Sequence, residues 1–381
     1  MTAGVVCEYN PFHKGHEKQF RQIREALGQD AGIVCLMSGS FVQRGEPAIF
    51  DKQIRAAAAA DGGANLVLEL PVTVSLRSAE GFASGAAEIF AKLGCADTLA
   101  FGCECGSGDE IQRAARTLET EEYRALLKSS LSEGLSYPAA REKALLELTG
   151  DGNVLRNPND ILAVEYCRAL LKTEIKPLAL LREGEHGSLT PDPENPSAAA
   201  VRALLPDGAW EDLVPKAAAE RYRGAKRHRL SFGERAVLAR LRGLREEEWE
   251  RAAHGSEGLW SKAMKAAFAE NSVEGILTAV KSKRYPRTRL QRLLLCAYLG
   301  LDAETLAAPP PYVRALAFDE TGREILKQAR EKGTIPVINA GQTPPDADYS
   351  ARERRCEALY ALFAEGEPDA AEKSRVYLKT L

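Results

Sequence analysis

Five short apolar runs, separated by stretches of helical periodicity, confine the first half of this chain to one kind of architecture. The runs are Gly4 to Cys7, Ile33 to Met37, Asn65 to Leu70, Thr98 to Phe101 and Leu178 to Leu181. Each has strand length and too few polar positions to leave one face in water. Between them, Lys14 to Leu27, Asp51 to Ala60 and Glu80 to Leu93 repeat their apolar residues at helical spacing. Asp51 is placed to cap the second of these helices, and Gly94 to stop the third. Further helices are expected over Glu110 to Leu148, Asp160 to Leu171 and Ser197 to Leu204. Strands alternating with helices through short loops predict the α/β class, with a doubly wound parallel sheet whose ligands bind beyond the carboxyl ends of its strands.

The pattern changes after about residue 210. Gly233 to Leu241, Gly258 to Ala267, Val273 to Ala279, Arg289 to Leu299 and Arg352 to Phe363 have helical spacing, and convincing strands are hardly to be found. A chain of 381 residues exceeds one ordinary core. Two domains are therefore expected, an α/β domain over 1–210 and an α-helical C-terminal domain over 211–381.

The richest chemistry lies at the mouth of the first strand-loop-helix unit, in Tyr9-Asn10-Pro11-Phe12-His13-Lys14-Gly15-His16. Asn10-Pro11 signals a turn. Two of the chain's five histidines then fall three positions apart, on one face of a helix N-terminus that favours a phosphate. An isolated H-x-G-H match carries little. Directly after a first strand, behind Asn-Pro-Phe, it marks an adenylyl-transfer site. There the two imidazoles donate hydrogen bonds to phosphate oxygens and stabilise charge at the α-phosphorus, without a covalent intermediate.

Other candidate residues also fall at strand ends. Ser38-Gly39-Ser40-Phe41-Val42-Gln43-Arg44-Gly45-Glu46-Pro47 is a polar loop longer than a connection needs, and Arg44 suits a phosphate or carboxylate. Gly102 follows the fourth strand; Arg182 ends the fifth, with His186 nearby, and Arg202 sits on the short helix beyond. These two arginines suit the outer phosphates of a nucleotide. Two basic stretches occupy the helical part: Lys216 to Arg229, which includes Lys226, Arg227 and Arg229, and Lys281 to Arg292, which includes Lys283, Arg284, Tyr285, Arg287 and Arg289. Either stretch alone reads as a solvated face. Two in one domain of a chain of net charge −3 suggest a surface that tracks phosphates, with Tyr285 stacking on an unpaired base.

Eight dispersed cysteines, with Cys103-Glu104-Cys105 as their only close cluster, read as reduced core thiols, and no metal site is expected. No apolar stretch is long enough to cross a bilayer and no signal-peptide pattern precedes the first strand, so a cytoplasmic protein with no membrane association and no evident obligate protein partner is expected.

The segments EYNPFHKGH, MSGSFVQRGEPAIFDK, NLVLELP, EGFASGAAEIFAKLG, AFGCE, NPNDILAVEY and SKRYPRTRLQRLL together resemble the bacterial tRNA(Met) cytidine acetate ligase family. The pairing of EYNPFHxGH with SGxFVQRGEPA sets that family apart from other HxGH nucleotidyltransferases. The resemblance implies a Rossmann-like fold of the HxGH nucleotidyltransferase type. It implies that ATP and acetate give acetyl-adenylate, with Mg²⁺ accompanying ATP, and that acetyl then passes to N4 of the wobble cytidine of elongator tRNA(Met). Carried over by position, the ATP-binding residues are Val6, Cys7, Glu8, Tyr9, Asn10, Pro11, Phe12, His13, Lys14, Gly15 and His16, then Gly102, Asn159 and Arg182. His13, His16, Gln43 and Arg44 are the catalytic candidates. Three positions depart from the family pattern: Asn65 stands for Asp, Cys103 for Ser, and Ala199 for a hydroxyl residue in the segment Ser197 to Arg202. A small-molecule adenylyltransferase making a dinucleotide-type cofactor is the alternative reading of the same loop, and an RNA-binding protein with a relic nucleotide pocket a third.

Overall fold

In the computed structural model, which describes residues 1–105, 107–182, 189–206, 208–282, 284–368 and 376–379, all five apolar runs are strands. They are β1 (Thr2–Cys7), β2 (Gly32–Ser38), β3 (Leu66–Leu70), β4 (Thr98–Cys103) and β5 (Lys176–Leu181). They run parallel in the order β3-β2-β1-β4-β5, so the direction of winding reverses between β1 and β4. That reversal opens a crevice at the strands' carboxyl ends, where the loop after β1 emerges.

Alternation along each strand builds two cores. Val34, Leu36, Leu66, Leu68, Leu99 and Phe101 face the Ala79–Leu93 and Pro158–Leu170 helices. Ile33, Cys35, Met37, Val67 and Ala100 face Phe20 and Ile23 of the Lys14–Leu27 helix and the alanines of the Lys52–Asp61 helix. Five consecutive buried alanines, Ala56 to Ala60, let that second helix lie close against the sheet. Asp51 caps it as expected, its Oδ1 accepting the Gln53 N–H at 2.7 Å, and Gly94 ends the Ala79–Leu93 helix in the left-handed region.

Strands do occur after residue 210, contrary to the sequence reading. Strands β6 (Val313–Phe318), β7 (Val337–Ile338) and β8 (Tyr377–Leu378) extend the sheet to eight strands. β6 lies antiparallel to β3, and β7 and β8 lie parallel to β6. Asn65 contributes to this junction. Its Oδ1 accepts the Ile33 N–H at 2.8 Å, and its Nδ2 donates to Asp319 at 2.9 Å. An aspartate there would set two carboxylates against each other, so the departure at this position suits its neighbour.

The remaining chain is helical as expected, including Leu230–Gly243, Leu259–Ala269, Val273–Val280, Arg287–Leu299 and Ala347–Ala361. These helices enclose a third core around Trp249, Leu259, Leu277, Leu293 and Phe363, which also takes in Phe41 from the loop after β2. Among the described residues, no helix is long and apolar enough to cross a membrane.

Candidate active site

His13 is the N-cap of the Lys14–Leu27 helix, and His16 stands three residues in. Nδ1 of His13 accepts the Gly15 N–H at 3.1 Å, and Nδ1 of His16 accepts the His13 N–H at 3.2 Å. With both Nδ1 atoms committed as acceptors, each neutral ring carries its proton on Nε2. The rings stack 3.8 Å apart. Behind them, Phe12 stacks on His16 at 5.6 Å and Tyr9 meets it edge-on at 4.8 Å. One loop therefore presents two preset Nε2–H donors at the positive end of a helix.

The Asn-Pro-Phe turn that leads into this helix is tied down from three sides. Asn10 Oδ1 accepts the Ile49 N–H at 2.7 Å, and Arg202 donates to the Asn10 carbonyl at 2.6 Å. The Tyr222 hydroxyl accepts the Phe12 N–H at 3.0 Å and donates to the Phe12 carbonyl at 3.2 Å. Tyr222 and Arg202 thus hold the loop through backbone atoms. Ser197 caps the Ala198–Leu204 helix that carries Arg202, accepting the Ala200 N–H at 3.0 Å.

Across the switch point, the side chain of Arg182 lies over Gly102, where a Cβ would come within 2.7 Å of its Cγ and Cδ. The NPND segment shapes the loop beyond. Fully buried Asp160 accepts the Glu104 and Cys105 N–H groups at 2.6 and 3.2 Å, and Asn159 Nδ2 donates to Glu104 at 2.5 Å. His186 lies outside the described residues.

The long loop after β2 is a β-hairpin, Phe41–Val42 paired with Glu46–Pro47. Its Gln43 N–H donates to Glu8 Oε1 at 2.8 Å, while its tip reaches the helical part. Gly45, at φ +83°, leaves no room for a Cβ against the Arg287–Leu299 backbone. Gln291 donates to Glu46 at 2.9 Å and Arg292 to the Gln43 carbonyl at 3.3 Å. Arg44 is exposed at this tip. The hairpin therefore bridges the strand ends and the helices.

Arg55 escaped the sequence reading. It is fully buried on the Lys52–Asp61 helix and donates to the carbonyls of Phe50 at 2.8 Å, Glu8 at 2.6 Å, Ser38 at 3.0 Å and Gly39. Those carbonyls belong to the loops after β1 and β2, so one guanidinium holds both. Lys52 from the same helix bridges Glu69 and Glu357, each at 3.0 Å, and so joins the end of β3 to the Ala347–Ala361 helix.

Burial pushes the His13 imidazole down to about 3, with the Arg182 and Arg202 charges acting the same way. Burial, His13 and Arg182 hold His16 well below its usual value as well. Both rings are neutral donors at neutral pH. The folded protein resists protons that unfolded histidines accept below about pH 6.5. Stability contributed by the pair is therefore complete above that pH and is lost as pH falls toward 3, at up to about 1.4 kcal/mol per unit for each ring. Urea unfolding from pH 6 to 4.5 should show a shallower acid loss for His16→Gln than for the parent chain. Parallel slopes would show that His16 is not held neutral.

The basic stretches are placed differently from a free phosphate-tracking surface. Lys226 donates to the Glu367 carbonyl at 2.9 Å, and Arg227 makes two bonds to Glu365, at 2.7 and 2.6 Å. Arg229 donates to the Arg202 carbonyl at 3.0 Å. Arg284 pairs with Glu257 at 3.1 Å, Arg287 with Glu274 at 2.7 Å, and Arg289 donates to Ser256 Oγ at 2.9 Å. Tyr285 is only 3% exposed, and its hydroxyl donates to the Glu257 carbonyl at 3.3 Å. Its ring serves the guanidiniums of Arg284 and Arg289, 5.7 and 5.2 Å away, so the expected base-stacking role is withdrawn. Lys283 lies outside the described residues. Among the described residues, no group of three or more His, Cys, Asp or Glu side chains converges as a metal site would, and Cys103 and Cys105 form no disulfide.

The HIGH nucleotidyl transferase family model matches residues 1–375. A tRNA(Met) cytidine acetate ligase of Clostridium novyi is 36% identical, the match covering 88% of each chain. One from Acetivibrio thermocellus is 33% identical over 88% of this chain and 87% of its own. A crystal structure of Thermotoga maritima TmcAL bound with alpha-thio ATP superposes with a TM-score of 0.88 at 30% identity, covering all of both chains. The apo form of that protein gives 0.89 at 30% identity over 99% of this chain and all of its own.

Proposed function

Since this chain belongs to the HIGH nucleotidyl transferase family and, within it, to the tRNA(Met) cytidine acetate ligases, we propose a two-step ligase reaction. ATP and acetate give acetyl-adenylate and pyrophosphate. The acetyl group then passes to N4 of the wobble cytidine of elongator tRNA(Met), leaving N4-acetylcytidine and AMP. The observation that carries the reading is the pair of neutral, stacked histidines, flanked by Arg182 and Arg202, whose Nε2–H groups meet no acceptor among the described residues. Acetate is a weak nucleophile and the phosphate chain is strongly anionic. In-line attack at the α-phosphorus needs fixed positive dipoles and charges, and no nucleophilic side chain.

In this scheme ATP lies along Val6 to His16 and reaches Gly102, Asn159 and Arg182, with His13 and His16 at the phosphates. Gln43 and Arg44 stand near the reacting carboxylate, on the hairpin anchored to Glu8. The donors around the histidines are cationic or N–H groups, which suit phosphate oxygens rather than a cation. Mg²⁺ would therefore be held chiefly by the phosphates themselves and would neutralise part of their charge. Residues 1–210 form the activating part. The helices after 211 receive tRNA through Lys226, Arg227, Lys283, Arg284, Arg287 and Arg289. Most of these cations now face carboxylates in exposed pairs, which contribute only about 0–1 kcal/mol, so RNA phosphates can displace them. The site of reaction is the cytoplasm, where ATP and tRNA meet.

The test is nucleoside mass spectrometry of tRNA incubated with the protein, ATP and labelled acetate. Labelled N4-acetylcytidine in elongator tRNA(Met) is expected, together with pyrophosphate release that requires acetate. Release driven instead by a phosphate monoester would sink the ligase reading in favour of a cofactor-forming adenylyltransferase.

A further inference from the structure

The second step poses a problem that the histidines do not solve. Cytosine N4 is a poor nucleophile because its lone pair is delocalised into the ring, and forming an amide there requires the loss of a proton. His13 and His16 carry their protons on Nε2, have spent Nδ1, and resist protonation, so they donate and do not accept. Glu104 is held by Asn159. Burial keeps the Cys7 thiol protonated.

Glu8 meets the requirement. We propose that its carboxylate accepts the N4 proton during acetyl transfer, an inference that rests on the ligase reading above. Glu8 directly follows β1 at the switch point, five residues before His13 in the same loop. Its Oε1 accepts the Gln43 N–H at 2.8 Å, while among the described residues its other oxygen accepts no hydrogen bond. The residue is only partly exposed, and Arg44, Arg202 and Arg55 surround it with positive charge. The hairpin that fixes it also packs on the Arg287–Leu299 helix, so Glu8 lies where the activating site faces the part proposed to receive tRNA. Carboxylates are natural partners of the cytosine N4 amine. Burial raises the Glu8 carboxyl against the pull of the Gln43 N–H and the neighbouring guanidiniums, which makes it a stronger base than an ordinary glutamate.

In the step itself, N4 attacks the acetyl carbonyl carbon of the adenylate and a C–N bond forms. The bond from that carbon to the phosphate oxygen breaks, and AMP leaves with the electron pair. One N4 proton passes to Glu8 and from there to solvent.

Glu8→Gln is nearly isosteric and keeps an acceptor for the Gln43 N–H. Three rates are to be compared in one preparation: acetate-dependent ATP–pyrophosphate exchange, single-turnover transfer to tRNA, and capture of the adenylate by hydroxylamine, which needs no base. Transfer to tRNA should fall about 10²–10⁴-fold. That fall should exceed the loss of exchange at least a hundredfold, and hydroxylamine capture should follow exchange. Equal losses in exchange and transfer, or near-normal transfer, would overturn the proposal.

Should the variant not fold, the unmodified protein decides through its pH profile. The groups facing Glu8 are the guanidiniums of Arg44, Arg55 and Arg202 on one side, and Cys7 and Tyr166, which burial pushes upward, on the other. Both histidines are held neutral. Single-turnover transfer should lose rate on the acid side through one group while exchange does not, and identical profiles would overturn the assignment. Absence of acetate-dependent exchange in the unmodified protein would instead be a failure of the ligase reading.

Discussion

His13→Asn is expected to lower acetate-dependent ATP–pyrophosphate exchange by about 10²–10³-fold, the usual cost of removing one preset donor from a charge-stabilising site. The same substitution should leave the thermal midpoint almost unchanged. His13 is expected to serve two purposes with two nitrogens: Nδ1 caps the helix through the Gly15 N–H, which leaves Nε2–H to donate to a phosphate oxygen. Asparagine is among the best N-cap residues, and its side-chain oxygen can take over the first purpose. It has nothing to replace the second. His13→Ala loses both, and should add about 1 kcal/mol of destabilisation to the same catalytic loss. Exchange within threefold of normal in the asparagine variant would show that His13 is a helix cap and no more.

Arg55→Met is expected to destabilise the fold by more than about 4 kcal/mol, in the range reserved for broken buried networks. The methionine fills much of the volume but strands the carbonyls of Phe50, Glu8, Ser38 and Gly39. Each buried carbonyl left without a donor costs roughly 1–3 kcal/mol. Against a total stability of about 5–15 kcal/mol, much of the population would be poorly folded near physiological temperature. Arg55→Lys should recover little, because an ammonium lacks the planar fork that reaches two loops at once. Urea unfolding measures the effect directly. A loss below about 1.5 kcal/mol would mean that the two loops hold their shape without Arg55.

What the sequence disclosed follows from how local each signal is. The parallel sheet was legible because both-face burial, caps and stops are written within a few residues, as at Asp51 and Gly94. The histidine loop was legible because strand, turn and helix are contiguous there. Strand β6 was missed because Tyr312 to Phe318 carries an arginine and two alanines amid helical surroundings, and its partner β3 lies far upstream. Arg55 and Lys52 were missed because burial of a cation is decided by carbonyls and carboxylates contributed from elsewhere. The ion pairs within the basic stretches are illegible in the sequence for the same reason. Glu257, Glu274 and Glu365, which neutralise several of their arginines, stand outside the basic runs themselves. Tyr285 shows the limit plainly: an aromatic among arginines is the same string whether its ring meets a base or its own neighbours.

The late strands also bear on how the chain is made. Asn65, at the start of β3, bonds Asp319 across 254 positions, just beyond the strand that covers the β3 edge. At about 5–20 residues per second a ribosome needs roughly 13–50 s to supply that partner. Throughout that interval the nascent sheet carries a bare, apolar edge, the kind of surface that recruits other strands. The helical insertion between β5 and β6 therefore sets a waiting time for every molecule synthesised. Chains released from the ribosome before β6 should be the species that chaperones hold and proteases remove.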